Sequence, residues 1–312
     1  MSWFTRKYGF TANSILAFDV VDASGAQRRV DETSDPDLFW ALRGGGGDFA
    51  IVVAAELRLF SEPQLYGGRL LWPVEHARAV LRAFRDAAVD APEELTMWAH
   101  LYHFPPLPEL PDPIRGRSFV SVASTFLGAP AEAERLLAPL RASAPVEMDL
   151  MAPLTVGELG GVADEPIDPM PVQDHTALLD TLGDDAIDRL IAATGDARTC
   201  PLMIVQLRAL GGAFAREVPG GGAVCPVTAA FNLWACGVPA TPELGSAIEL
   251  AFADLQEVMS PVASSRRLPN FSGEAQTNSE GYAEPVLHRL RAIKQHHDPE
   301  GVIRSNKPVL GH

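Results

Sequence analysis

Four consecutive glycines, Gly44 to Gly47, are the residues of this 312-residue sequence whose type and spacing best suit chemistry. Lacking Cβ atoms, they let a ligand approach the backbone, and their N–H groups can meet oxygen atoms. No Gly-Lys-Ser/Thr follows, so the run is not a P-loop. Phe49 fills the third glycine position of a GxGxxG. The run also follows a helical pattern and precedes a strand, the reverse of the dinucleotide-binding order. A flexible connector with no ligand stays open as the alternative.

The other candidates read as structural. His296 and His297 are adjacent on a helix and point about 100° apart, which suits the helix C-terminus better than a shared metal. His100 and His103 sit at odd spacing in a strand-like segment and face opposite sides. Asp180, Asp184, Asp185 and Asp188 read as a helix start and a solvated face. There is no GxSxG nucleophile elbow and no close carboxylate pair of the glycosidase kind. Cys200, Cys225 and Cys236 are odd in number and form no CxxC, so three free thiols are expected.

The elements that would position the glycines are legible around them. Residues 15–21 form an apolar strand followed by the turn Asp22-Ala23-Ser24-Gly25, where Gly25 supplies positive φ. Residues 27–30 make the return strand. Asp35 is an N-cap with Pro36 in the first helical position. Leu38, Phe39, Ala41 and Leu42 give a short apolar face that stops at Gly44. Residues 49–59 are β-like, rich in Val and Ile.

A middle block follows. Strands are expected at 70–74, 96–104, 119–126 (half-exposed), 201–210 and 227–236. Helices are expected at 75–89, 131–141 and 242–258, the first with Ala77, Val80, Leu81, Phe84 and Ala88 on one face. Five prolines within 105–113 exclude helix and central strand there, and 163–174 reads as an acidic loop. Such an order suggests an antiparallel sheet with helices on one side. The last block carries a helix at 284–296, the turn Asp298-Pro299-Glu300-Gly301 and an extended tail.

Composition narrows the function classes. Hydrophobic residues make up 47% and charged residues 21%, as in a folded protein of one or two domains. Asp and Glu number 40 against 25 Lys and Arg, a formal charge of −15. No block of cations could release counterions from a polyanion, so nucleic acid is excluded as a partner. No apolar run approaches a membrane span and the N-terminus lacks the apolar core of a signal peptide, so no membrane partner and a cytoplasmic location are expected.

Two groups of residues, more than 200 positions apart, bring a family into view. The first is Arg6-Lys7-Tyr8-Gly9-Phe10-Thr11 with the continuous stretch from Asp35 through Arg43, the four glycines, Asp48 and Phe49. The second is Asn270-Phe271, then Leu290 to Lys294, His297-Asp298-Pro299, Arg304 and Asn306. Together they resemble the berberine-bridge-enzyme-like FAD-linked oxidases of the vanillyl-alcohol-oxidase, or PCMH-type, flavoprotein superfamily.

The resemblance implies an α+β fold: half of a PCMH-type FAD-binding lobe plus a substrate lobe whose antiparallel sheet is covered by helices. Residues 1–62 would be the second subdomain of the FAD lobe, 63–265 the substrate domain, and 266–312 the berberine-like segment returning to the FAD lobe. The implied activity is oxidoreduction with FAD as cofactor, a hydride passing from an alcohol, sugar or natural product to the flavin, and dioxygen reoxidising it. Gly46, Phe49 and the backbone of Ile51 would lie along the FAD, and Asn270 and Asn306 near its isoalloxazine.

Departures from the family pattern set further expectations. The subdomain that carries the pyrophosphate loop and the flavin-linking His would precede Arg6, and Met1 stands five residues before it. An N-terminally truncated chain is therefore expected, with its 15–21 and 49–53 strands exposed for self-association or for a complementing N-terminal FAD subdomain. Leu268 replaces the family's active-site Tyr, which leaves the base unidentified; Tyr102, Tyr282 and Glu274 qualify by polarity only. Asp48 replaces Asn, Ala50 replaces Gly and Lys307 replaces Gln, and Asp48 would repel a nearby pyrophosphate. A catalytically inactive remnant, or a non-catalytic small-molecule binder, is the alternative function.

Overall fold

The computed structural model describes residues 2–61, 64–163, 169–271 and 280–311. Glu274 and positions 164–168 of the acidic loop lie outside the described residues. The elements run α1 (Thr5–Tyr8), β1 (Ile15–Val21), β2 (Gln27–Asp31), α2 (Pro36–Leu42), β3 (Ile51–Leu57), β4 (Leu65–Pro73), α3 (Ala77–Val89), β5 (Leu95–His103), β6 (Ser118–Phe126) and α4 (Pro130–Ser143). Then come β7 (Met148–Asp149), β8 (Ala152–Leu154), α5 (Gly160–Ala163), β9 (Gln173–Leu179), α6 (Asp184–Thr194), β10 (Ile204–Ala209), β11 (Phe231–Gly237), α7 (Pro242–Met259) and α8 (Glu284–His297).

The chain divides into two units. The first comprises Met1–Ser61, Gly212–Val227 and Ser265–His312. Its antiparallel sheet has the order β2-β1-β3. The β1–β2 turn is closed by Asp22, whose carboxylate accepts from Ser24 and Ala26, with Gly25 at φ +83°. Asp35 caps α2 by accepting from the Leu38 N–H. Phe18, Val20, Val30, Leu38, Phe39 and Phe49 form the core with Leu287, Leu290 and Ile293 of α8. The Arg289 guanidinium of α8 stacks on Trp40 and bonds Asp37, which joins α8 to α2.

Residues 212–227, interior to the middle block of the sequence, pack with these terminal segments. Arg43 donates to the Gly220 carbonyl and the Ala223 N–H donates to Trp40. A side chain at Gly222 would lie 2.0 Å from the Arg43 carbonyl oxygen, so only glycine admits that approach.

The second unit, Glu62–Gly211 and Thr228–Ser264, is built on an eight-stranded sheet in the order β7-β4-β6-β5-β10-β11-β9, with β8 also on β4. All its pairings are antiparallel. Val80, Leu81 and Phe84 of α3, Leu137 and Leu140 of α4, Ile187 and Leu190 of α6, and Ile248 and Leu255 of α7 pack on one sheet face. There they meet Leu70, Trp72, Met97, Leu101, Val122, Leu207 and Leu233. The observed fold is thus the α+β arrangement of an antiparallel sheet covered by helices.

Two local expectations change. β6 alternates polar and apolar residues but is buried on both faces from Phe119 to Phe126, and it pairs on both edges, with β4 and β5. Strand β9 begins at Gln173 and Asp174, the last two residues read as the acidic loop, because pairing with β11 and not polar composition decides their state. All three cysteines are free and buried.

Candidate functional site: the glycine loop and the C-terminal clamp

The glycine run has two halves with different duties. A Cβ on Gly44 would lie 2.3 Å from Val224 Cγ1, and one on Gly45 would lie 2.5 Å from the Ala41 oxygen and 2.6 Å from Leu290 Cδ2. These two glycines let the loop pack on its own unit. Gly46, at φ +87°, has nothing within 4 Å of a Cβ, and Gly47 has only Ser305 at 3.6 Å. Both are exposed. The second half therefore presents open backbone beside the C-terminal tail.

Asp48 fixes that neighbourhood. It is 1% exposed. Its carboxylate accepts from Ser305 Oγ and from the Val309 N–H. Its carbonyl accepts from Lys294 Nζ at 2.7 Å. The same ammonium donates to Asp298 at 2.6 Å and to the Ile303 carbonyl at 2.6 Å. Asp298 in turn accepts from the N–H groups of Val302 and Ile303. Burial pushes the Asp298 carboxyl up, but the bonds from Lys294 and the two amides outweigh it and hold the carboxyl below its ordinary 3.8. Asp48 thus faces the tail and ties residues 303–309 to the loop, the same tail that carries Asn306.

The sequence-derived site residues fall as follows. Gly46, Ile51, Asn270 and Asn306 are exposed in the first unit. Gly46 and Asn306 are brought together by the Asp48–Ser305 contact. Ile51 opens β3, an edge strand exposed along its whole length, on which β1 satisfies only one side of the backbone. Phe49 is 1% exposed, its ring in the core, and can offer a ligand backbone only. Asn270 lies in a 3₁₀ turn, Pro269–Phe271. Exposure expected for the 15–21 strand is absent at Phe18 and Val20, which pack with α2 and α8, and at Ala17, which is also buried; β3 carries it instead.

The candidate bases resolve differently. Leu268 is buried and apolar. Tyr282 donates its hydroxyl to the Gly44 carbonyl at 2.7 Å, and burial pushes its phenol up to about 12. It braces the loop. Tyr102 is buried in the second unit, stacked on His100 and Phe104. Sequence reading missed the clamp itself. The i,i+4 spacing of Lys294 and Asp298 was its one available signal.

The residues present suit part of a flavin nucleotide. An open glycine pair, a free edge-strand backbone and an exposed amide match a flat heteroaromatic system with hydrogen-bonding edges. Among the described residues, no group of three or more His, Cys, Asp or Glu side chains stands ready to hold a metal ion.

No protein-family model matches the chain. Glucooligosaccharide oxidase of Sarocladium strictum is 39% identical over 97 residues, 30% of this chain and 19% of that protein. An FAD-linked oxidoreductase of Bacillus subtilis is 30% identical over 149 residues, 47% of this chain and 31% of that protein. The chain thus matches less than a third of the length of these curated relatives. Berberine bridge enzyme from Eschscholzia californica superposes with TM-score 0.84 at 15% identity, over 99% of this chain and 68% of that one. 6-Hydroxy-D-nicotine oxidase from Arthrobacter nicotinovorans gives 0.81 at 21% identity, over 98% and 68%. The fold is that of the berberine-bridge-enzyme-like, PCMH-type flavoprotein oxidases, and the sequence relatives are FAD-linked oxidoreductases.

Proposed function

We propose that this chain acts in FAD-dependent oxidation of a small molecule, its first unit holding part of the cofactor and its second unit the substrate. The observation that carries the reading is the Asp48 clamp, which sets the open Gly46-Gly47 backbone beside the tail bearing Asn306. Gly46, the backbone of Phe49 and Ile51, Asn270 and Asn306 would hold the cofactor. Bound FAD would supply a hydride acceptor that no side chain provides. The chain's residues supply position: Lys294, Asp298 and Tyr282 keep the loop and tail rigid.

Residues 1–62 and 266–312 would serve the cofactor and 63–265 the substrate, with 212–227 assigned to the cofactor side. A sugar is the substrate class suggested by the name of glucooligosaccharide oxidase; an alcohol or a natural product would be the other substrate classes, with dioxygen as electron acceptor. The exposed β3 would seat whatever completes the cofactor cleft, another polypeptide segment or a second copy of the chain.

The test is a titration of the full chain with FAD, read by flavin fluorescence and by melting temperature. Saturable binding, weakened by Gly46→Trp, is expected. A flavin signal that ignores the protein at every concentration removes the reading for this chain. Ligand binding without oxidation is favoured by one observation, the buried Leu268 in place of an ionisable Tyr. Flavin that binds but is never reduced by any alcohol or sugar would select it.

A further inference from the structure

The open half of the glycine run offers hydrogen bonds without charge. Gly46 and Gly47 are exposed, and among the described residues neither their N–H groups nor their carbonyls meet a partner. Gly46, at φ +87°, leaves open space where a side chain would stand. Asn306, exposed on the neighbouring tail, adds an amide that both donates and accepts. Flanking carbonyls are already committed: Gly44 accepts from Tyr282, while Asp48 and Ile303 accept from Lys294.

The surrounding electrostatics disfavour a phosphate there. Asp48 follows Gly47 directly, and its carboxylate is answered by a hydroxyl and an amide, both uncharged. Lys294 does not cancel it. The ammonium bonds the Asp48 carbonyl, not the carboxylate, and is paired with Asp298. These three side chains are buried and leave one negative charge over. Helix α2 enters the loop with its C-terminus, the negative end of its peptide dipoles, whereas anion sites use N-termini. The neighbouring cations are turned elsewhere. Arg43 donates to the Gly220 carbonyl and stacks on Phe39. On the tail, Arg304 bonds the Gly301 carbonyl and Lys307 has a partner of its own.

Consecutive Cα atoms are about 3.8 Å apart. A phosphate on the Gly47 amide therefore stands well inside the screening length of about 10 Å at about 0.1 M salt, and it meets the Asp48 charge. A neutral flat ring escapes that repulsion. Its edge holds N–H, C=O or ring-nitrogen groups in one plane, and it pairs with backbone that both donates and accepts. Two parts of a flavin dinucleotide share this chemistry, the isoalloxazine and the adenine.

We infer that the Gly46-Gly47 backbone and Asn306 take an uncharged ring of the cofactor, and that Asp48 is the specificity-determining residue that keeps phosphate off them. The inference rests on the proposed flavin binding and assigns which part of the cofactor this loop holds. The phosphates need donors and cations that the loop does not supply.

The full chain is titrated separately with riboflavin, adenosine, inorganic pyrophosphate and FAD, by flavin fluorescence and calorimetry. Riboflavin or adenosine is expected to bind at least about ten-fold tighter than pyrophosphate, and the tighter of the two names the ring. Pyrophosphate is expected not to displace it. Asp48→Asn keeps an acceptor for Val309 and is expected to tighten pyrophosphate about ten-fold, while ring affinity moves less than about two-fold. Asp254→Asn on α7 removes the same charge from the second unit and is expected to leave pyrophosphate binding as it was. Equal tightening in both variants, a pyrophosphate affinity unchanged in Asp48→Asn, displacement of the ring by pyrophosphate, or binding of neither ring overturns the inference. The unmutated chain alone decides the order of ring over pyrophosphate, so a variant that fails to fold does not rescue the idea. Ring binding in a chain indifferent to FAD supports the ring site and counts against the flavin reading. FAD binding that pyrophosphate displaces, with neither ring bound alone, does the reverse.

Discussion

Lys294 uses its three ammonium protons inside the first unit, on one carboxylate and two carbonyls. With Lys294 5% and Asp298 2% exposed, water cannot replace either partner. Lys294→Met leaves a buried carboxylate without its cation and is expected to cost about 3–5 kcal/mol in denaturant unfolding. Asp48→Ala orphans the Val309 N–H and is expected to cost about 1.5–3 kcal/mol, whereas Asp48→Asn keeps an acceptor there and costs less. Both Asp48 variants are measured by urea midpoint. Asp298 also sets an acid limit. Its carboxyl titrates below 3.8 when folded, so its contribution is complete above that value and is lost as pH falls through the lower folded value. Stability measured downward from pH 5 should fall less steeply in Asp298→Asn than in the unmutated chain. An equal slope in both would show that other carboxylates govern acid unfolding.

At the scale of elements, the glycine loop joins α2 to β3 and its four residues are not equivalent. Gly45→Ala forces a methyl against the Ala41 oxygen and Leu290, and is expected to destabilise by about 3 kcal/mol or more. Gly46→Ala meets open space, and only its φ of +87° resists, at about 1–2 kcal/mol. Circular-dichroism melts of the two variants compare them directly; equal losses would mean that the loop is not split in this way. The run itself was visible in the sequence, as were α2 with its Asp35 cap and α3 with its apolar stripe, because each is coded by neighbours three or four residues apart. The duty of each glycine was not, since Val224 and Leu290 are distant in the chain. The partners of Asp48 were hidden for the same reason. In the fold its carboxylate accepts from Ser305 and Val309, more than 250 residues along the chain. His100 looked like a lone strand histidine, and only the register of β5 with β10 reveals Gln206 opposite it. Local pattern encodes helices and turns; strand register and cross-chain clamps are decided by packing.

For the whole molecule, two tendencies oppose each other on the surface. Leu16, Ile51, Val52, Val53, Leu57, Leu59 and Phe60 are all exposed, several on one edge strand that pairs, among the described residues, with β1 alone. Such an edge recruits another chain or a second copy. A formal charge of −15 resists the approach of copies. Salt separates the two effects, because the screening length shrinks from about 10 Å at about 0.1 M to about 3 Å at about 1 M while the apolar attraction persists. Light scattering of the full chain is therefore expected to show association rising with sodium chloride. Val52→Lys adds a charge among the exposed apolar residues at the start of the edge and should hold the chain smaller across the series. Ion pairing between copies predicts the opposite salt trend, with association falling as screening grows. If the chain is monomeric at every salt concentration, β3 is not a self-association seat, and its exposed apolar side chains await a ligand or an unlike segment instead.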